Sequence, residues 1–450
     1  MTTCTSTEPW LSVVDGLGPA GAELHAHGYT WARVCERTGL GWQVPFPAAE
    51  LDEVDTPHLD GDDRPPVDWL IRLLLLGDAI PSAELDAFLG DDTRDALVQA
   101  GLLREREGDV SSAAMLLPFE DLLLACDWPW REASSRVIMP DPSSALTAEH
   151  VPPLPGEPAG DALDIGTGCG IVAFVAARHF ARVTGVDTSA RAISFARFNA
   201  ALNRVDVAFA TCSTTYLEHE LEDPVDLVSF VFPVLFADYW RREASAHVSQ
   251  LEPGTDGRAL ALGTYRQLGR ALRPGGRALL FHQVPLAPGD DLAAWLLSAG
   301  AAAELEVVAN LVHTRDAQFA YARVSARRTG RPGSLRVVRA PNHLLGASQT
   351  RRDLARSLAT ADRLLGDVAG AAPRLYDWIR ATATATVDDG VVQPPALALD
   401  DIAIGADAWA LVHEMDGRAT VAELGRRHPG IDAEAVIRAL ARQGLVSLAP

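Results

Sequence analysis

Between Asp161 and Ala326 the chain alternates short apolar runs with amphipathic stretches. "ALDIG", "ARVTGVD", "VDVAFA", "VDLVSFVF" and "GRALLFHQV" have the length and apolar content of buried strands, and helical segments interleave with them. That alternation predicts a parallel sheet flanked by helices, an α/β architecture. The last two runs, "AELEVVANLVH" and "AQFAYARVSA", suit an antiparallel hairpin at the sheet edge.

The pattern changes on both sides of this block. From Val67, "VDWLIRLLLLGD", "PSAELDAFLG" and "DDTRDALVQAGLL" read as three helices, the third ending at Gly101, and "LLREREGDVSSA" reads as a small hairpin. Three helices and a wing make a winged-helix-like unit. Upstream, residues 1 to 60 show helical character only around Ala20 to Thr38. Near the other end "ALARQGLV" (Ala439 to Val446) echoes "ALVQAGLL" (Ala96 to Leu103), which leaves open a shared winged-helix architecture or ordinary glycine capping of two helices. Pro- and Gly-rich stretches at Asp60 to Pro66, Pro152 to Asp161 and Arg327 to Gly333 mark linkers or edges. At 450 residues, two to four domains are expected. The divisions are 1–150 (helical and winged-helix-like), 151–330 (the α/β domain), 331–396 (a helical connector) and 397–450 (a second winged-helix-like domain).

Composition narrows the function. With 48% hydrophobic residues the chain can bury real cores, yet "LIRLLLL" (Leu70 to Leu76) is too short for a membrane span and carries Arg72. The start "MTTCTSTEPW" has no signal-peptide pattern, so a cytoplasmic protein without membrane partners is expected. A formal charge of −21 repels polyphosphate and argues against nucleic-acid partners. The basic run Ala322 to Arg339 reads as a strand end followed by a solvated connector. The five cysteines form no CxxC pair, so neither a metal site nor a disulfide framework is indicated.

"LDIGTGCG" (Leu163 to Gly170) is the chemically informative turn. Its glycines, Gly166, Gly168 and Gly170, do not follow the GxGxxG of dinucleotide sites, and Asp164 stands two residues before the first. A pyrophosphate would be repelled by that acid. A ligand carrying a sulfonium and an ammonium would be attracted.

Residues 161 to 285 resemble class I S-adenosylmethionine (SAM)-dependent methyltransferases. The resemblance is carried by "LDIGTGCG", by Asp187 at the end of "ARVTGVD", and by the turn and fifth strand "RPGGRALLFH". It implies a Rossmann-like methyltransferase sheet flanked by the helical and winged-helix domains, with SAM as cofactor. Asp164, Gly166, Gly168 and Gly170 would line the methionine end, with Thr167 of the same turn among the cofactor-binding positions. Asp187 would hold the ribose hydroxyls, as a carboxylate can accept two hydrogen bonds. Ser213 follows the third strand, where such enzymes touch adenine, although the acid expected there is absent.

More narrowly, "ISFARFNAALNRV" and "EPGTDGRALALGTYRQLGRALRPGG" resemble the branch that includes glutamine-amide and nucleobase N-methyltransferases. That branch grips a planar NH2 with Asn-Pro-Pro-Tyr or Asn-Pro-Pro-Phe after the fourth strand. Here the residues are Phe230, Val231, Phe232 and Pro233. Loss of the grip points away from amides and toward O-methylation or methylation of an ordinary amine, on a small metabolite or peptide-like natural-product intermediate. Phe230 and Phe232 would wall an apolar acceptor pocket or serve as strand core. His282 is a candidate base, since neutral imidazole suits proton removal near pH 7. Tyr239 and Asp238 are candidates for acceptor contact, and Met139 to His150 reads equally as a lid or a plain linker.

Residues 397 to 448 resemble small winged-helix domains similar to the pyrroloquinoline-quinone chaperone, through Trp409, "MDGRATVAEL" and "ALARQGLV". Such domains capture peptides by strand addition, and homodimerisation stays open beside that. Two functions of other kinds also remain: a SAM-binding regulatory protein without methyl transfer, and another SAM-dependent alkyl transfer or cyclisation.

Overall fold

The computed structural model describes residues 11–38, 59, 64–128, 136–140, 142–148, 151, 157–213, 217, 221–232, 258–285, 305–313, 319–328, 334–340, 360, 363, 368–375, 387–388, 391–392, 406–442 and 446–449. Among these residues eight strands make one sheet. We label them in chain order β1 (Asp161–Ile165), β2 (Arg182–Asp187), β3 (Ala208–Thr211), β4 (Val225–Val231), β5 (Leu272–Pro285), β6 (Leu305–His313), β7 (Phe319–Arg328) and β8 (Ser334–Ala340). Their hydrogen-bonded order is β8-β6-β7-β5-β4-β1-β2-β3. The chain divides into two compact units. The first takes residues up to Glu220 with Ser229–Val231, and the second takes Leu221–Val228, Phe232 and the described residues from Arg258 onward.

In the first unit β1, β2 and β3 are parallel, with Asp164 paired to Gly185 and Asp187 to Thr211. Two helices connect them: α1 (Ile171–Ala176) and α2 (Ala190–Asn203). The helix α2 starts where it does because the Ser189 hydroxyl accepts the Ala192 N–H, satisfying one of the free amides of the first turn. It is buried around most of its circumference, through Ile193, Phe195, Ala196, Phe198 and Leu202, so it has no single apolar face.

The N-terminal region contains the helical segments 66–76, Ser82–Asp86 and Asp91–Gln99, followed by a hairpin. Leu103–Arg106 and Asp109–Ser112 pair antiparallel through a turn in which Glu107 and Gly108 both have positive φ, the geometry that follows strand twist. Ile80–Pro81 adds a third strand to that sheet. The stretch read as one helix from Val67 is an α-helical turn, Pro66–Leu70, running into a π-helical turn, Ile71–Leu76, which Gly77 ends in the left-handed region. A second hairpin, Met115–Phe119 with Leu122–Cys126, is buried along both strands and lies against α2. Further upstream, helix Leu17–Ala26 packs on α2 so closely that Gly21 leaves no room for a Cβ before the Leu202 carbonyl.

In the second unit β6 and β7 pair antiparallel, as the sequence suggested. The basic run after Arg328 corrects the sequence expectation, because Ser334–Ala340 is not a connector. It forms β8, parallel to β6, since "SLRVVRA" supplies strand-forming residues between its charges. The C-terminal helices Ala406–His413, Val421–Arg427 and Ala433–Arg442 enclose a core of Leu411, Met415, Leu424, Ile437 and Leu440. Thr420 and Glu423 cap the middle helix reciprocally. Val446–Ala449 pairs with Ala372–Leu375, so this core recruits a strand from the segment expected as connector. Among the described residues no helix is long and apolar enough to cross a membrane.

Candidate active site

The turn after β1 is built by three reversals of backbone hand. Gly166, Gly168 and Gly170 have φ of +64°, +55° and +95°, a conformation costly to side-chain-bearing residues. Gly170 is doubly required, because a Cβ there would stand 2.5 Å from the Phe174 ring. The Gly170 N–H donates to the Thr167 carbonyl at 2.8 Å, and the Thr167 N–H donates to Val186 at 3.0 Å, tying the turn to β2.

Two carboxylates frame the turn from adjacent strands. Asp164 is buried, and its two oxygens accept from the hydroxyls of Thr167 and Ser229, each at 2.8 Å. Burial pushes its carboxyl up to about 6, against the downward pull of those hydroxyls. Asp187, at the end of β2, accepts the Gly168 N–H at 3.0 Å and the Ser189 N–H at 2.8 Å. Burial raises it as well, opposed by the backbone donors of Ser189, Gly168 and Thr188. The Cys212 N–H donates to the Asp187 carbonyl at 2.9 Å, which brings the end of β3 and exposed Ser213 beside β2. Glycine backbone, a buried acid on one side and an acid held by main-chain amides on the other suit a ligand with positive charge and vicinal hydroxyls. SAM fits that description.

Phe230, at the end of β4, is buried, and its ring lies against the turn, 3.3 Å from where a Cβ on Gly166 would stand. Phe232 is also buried, and its N–H donates to the Phe281 carbonyl at 2.9 Å, extending the β4–β5 pairing. His282 lies in β5 opposite Ala322. Tyr239 and Asp238 lie outside the described residues. Of the segment Met139 to His150, Pro142–Ala148 is helical and packs on α1, with Ser143 and Thr147 buried.

Sequence reasoning missed two participants. Ser229 is a hydroxyl inside the apolar run "VDLVSFVF", and only its bond to Asp164 shows why a polar residue occupies a buried strand position. Asn199 is fully buried on α2, and its side-chain amide donates to the Cys169 carbonyl in the glycine turn. A polar residue at a core-facing helical position was the one available hint.

Residues 162–254 match the family model of a methyltransferase domain, and residues 44–113 match a domain of unknown function, DUF7059. The chain is 39% identical over 151 residues to the release factor glutamine methyltransferase of Deinococcus radiodurans, covering 32% of this chain and 52% of that protein. It is 35% identical over 129 residues to the release factor glutamine methyltransferase of Mycobacterium leprae, covering 27% and 45%. The chain thus spans about half the length of these curated relatives. Among solved structures it is similar to a methyltransferase from Pyrococcus furiosus (18% identity, TM-score 0.29, covering 38% of this chain and 77% of that one). It is also similar to magnesium protoporphyrin IX methyltransferase from Synechocystis with bound SAM (17% identity, TM-score 0.28, covering 42% and 76%). Sheet, turn and family match together define a SAM-dependent methyltransferase domain of Rossmann-like fold.

Proposed function

We propose that the protein transfers a methyl group from SAM to an amine or oxygen of a small metabolite or peptide-like intermediate. The observation that carries this reading is the aromatic end of β4. Phe230 lies buried against the cofactor turn where the related amide-methylating branch carries asparagine. SAM supplies a methyl group on a cationic sulfur. The glycine turn and Asp187 would hold that cofactor, the turn through its backbone and Asp187 through its carboxylate. A primary amine or hydroxyl acceptor also needs a proton removed, and His282 is our candidate for that step, with Tyr239 and Asp238 as candidate acceptor contacts. A carboxylate acceptor would need no base.

The names of the two curated relatives favour a second reading, methylation of a glutamine side chain in a protein. One experiment separates them. The purified chain is incubated with SAM and a panel containing carboxylic acids, phenols, amines and a glutamine-bearing release-factor peptide. Products are read by mass for the gain of one methyl. Methylation confined to amines or oxygen acceptors supports the first reading, and methylation of the glutamine peptide supports the second. We further propose that the C-terminal helical unit engages a peptide or a second copy of the chain, and that no nucleic acid is bound.

A further inference from the structure

Helix α2 meets the buried hairpin through two asparagines one turn apart. The Asn203 side chain accepts the Leu123 N–H at 2.8 Å and donates to the Leu123 carbonyl at 2.7 Å. The Asn199 side chain does the same with Ala125, at 2.7 and 3.0 Å. Leu123 and Ala125 are two residues apart on one strand, so their backbone groups face the same side. Two side-chain amides thus satisfy a strand edge as a neighbouring strand would.

The two asparagines differ in one bond. Asn203 spends its further contact inside its own helix, on the Asn199 carbonyl at 2.7 Å. Asn199 instead donates to the Cys169 carbonyl at 2.9 Å. That carbonyl belongs to the same planar peptide as the Gly170 N–H, which bonds to Thr167. The Cys169–Gly170 peptide is therefore pinned at both ends. Glycines on both sides of Cys169 would otherwise make its rotation inexpensive. Asn199 is fully buried, so no solvent replaces its bond when it is lost.

We propose that Asn199 is a positioning residue for the cofactor: it fixes the peptide plane of the glycine turn against the hairpin and so holds the Gly168 region in the direction that SAM meets. This rests on SAM occupying that turn. Asn203 is the built-in control, since it makes the same hairpin contact without touching the turn.

The test is calorimetry of the full chain with S-adenosylhomocysteine, alongside thermal unfolding, for Asn199→Ala and Asn203→Ala. Both substitutions lower the unfolding temperature. Only Asn199→Ala raises the dissociation constant, by about tenfold, equivalent to about 1.4 kcal/mol. Equal changes in affinity for the two variants, or none for Asn199→Ala, overturn the proposal. A wild-type chain that gives no heat with S-adenosylhomocysteine overturns the cofactor reading itself. Should Asn199→Ala fail to fold, hydrogen exchange of the wild-type chain decides: the ligand slows exchange of the Ala125 amide more than that of Leu123, and equal slowing refutes the tether.

Discussion

At the scale of single residues, the cofactor site is governed by what burial does to two acids. Asp164 titrates at about 6 in the folded chain instead of its ordinary 3.8. A carboxyl raised by folding stabilises the fold fully below its unfolded value and loses that contribution as pH climbs through its folded value. The loss over this span is about 3 kcal/mol. Asp164→Asn, which does not ionise, should therefore gain stability relative to wild type between pH 4 and 7.5, as urea unfolding at the two pH values would show. The same substitution should weaken SAM binding, because a neutral amide no longer offsets the cofactor's positive charge. For Asp187→Ala we expect SAM binding weaker by about 1.5 to 3 kcal/mol, measured by calorimetry. Unchanged affinity would move the ribose contact elsewhere. Phe230→Asn should slow turnover of the native acceptor, since a buried amide without partners costs about 1 to 3 kcal/mol. Faster methylation by that variant would favour the glutamine reading. These acids and glycines were legible because their spacing is local, within one strand–turn–helix–strand unit. Ser229 was not, because its partner lies 65 residues away in sequence.

At the scale of elements, periodicity located β1 to β7 and the N-terminal wing, and failed where burial has no sided pattern. "MLLPFEDLLLAC" is apolar on both faces, so no alternation marks it as a hairpin. The reverse error came at β8, where arginines and nearby glycines gave a strand the composition of a connector. Helix packing was equally hidden. Gly21 looks like a defect in the helix Leu17–Ala26, but a Cβ there would stand 2.3 Å from the Leu202 carbonyl of α2. Backbone cannot yield as a side chain can, so Gly21→Ala should destabilise the chain by about 1 to 3 kcal/mol, read from its urea midpoint. A neutral result would mean that the two helices separate at little cost.

At the scale of the whole molecule, charge outweighs local sequence. The formal charge of −21 makes long-range attraction to RNA or DNA unfavourable even with a basic edge strand, and mobility shift at physiological salt should show no complex. A complex that weakens as salt rises would reverse that expectation. The strand β4 has a consequence of a different kind, one of timing. Its last three residues join the first compact unit, bringing the Ser229 hydroxyl to Asp164 and the Phe230 ring to Gly166. A ribosome that has released only the segments through β3 has exposed every glycine and both acids of the cradle, yet the buried carboxylate still lacks one donor and the turn its aromatic cover. At that point the nascent chain would hold the whole motif but not the two β4 side chains that complete its surroundings.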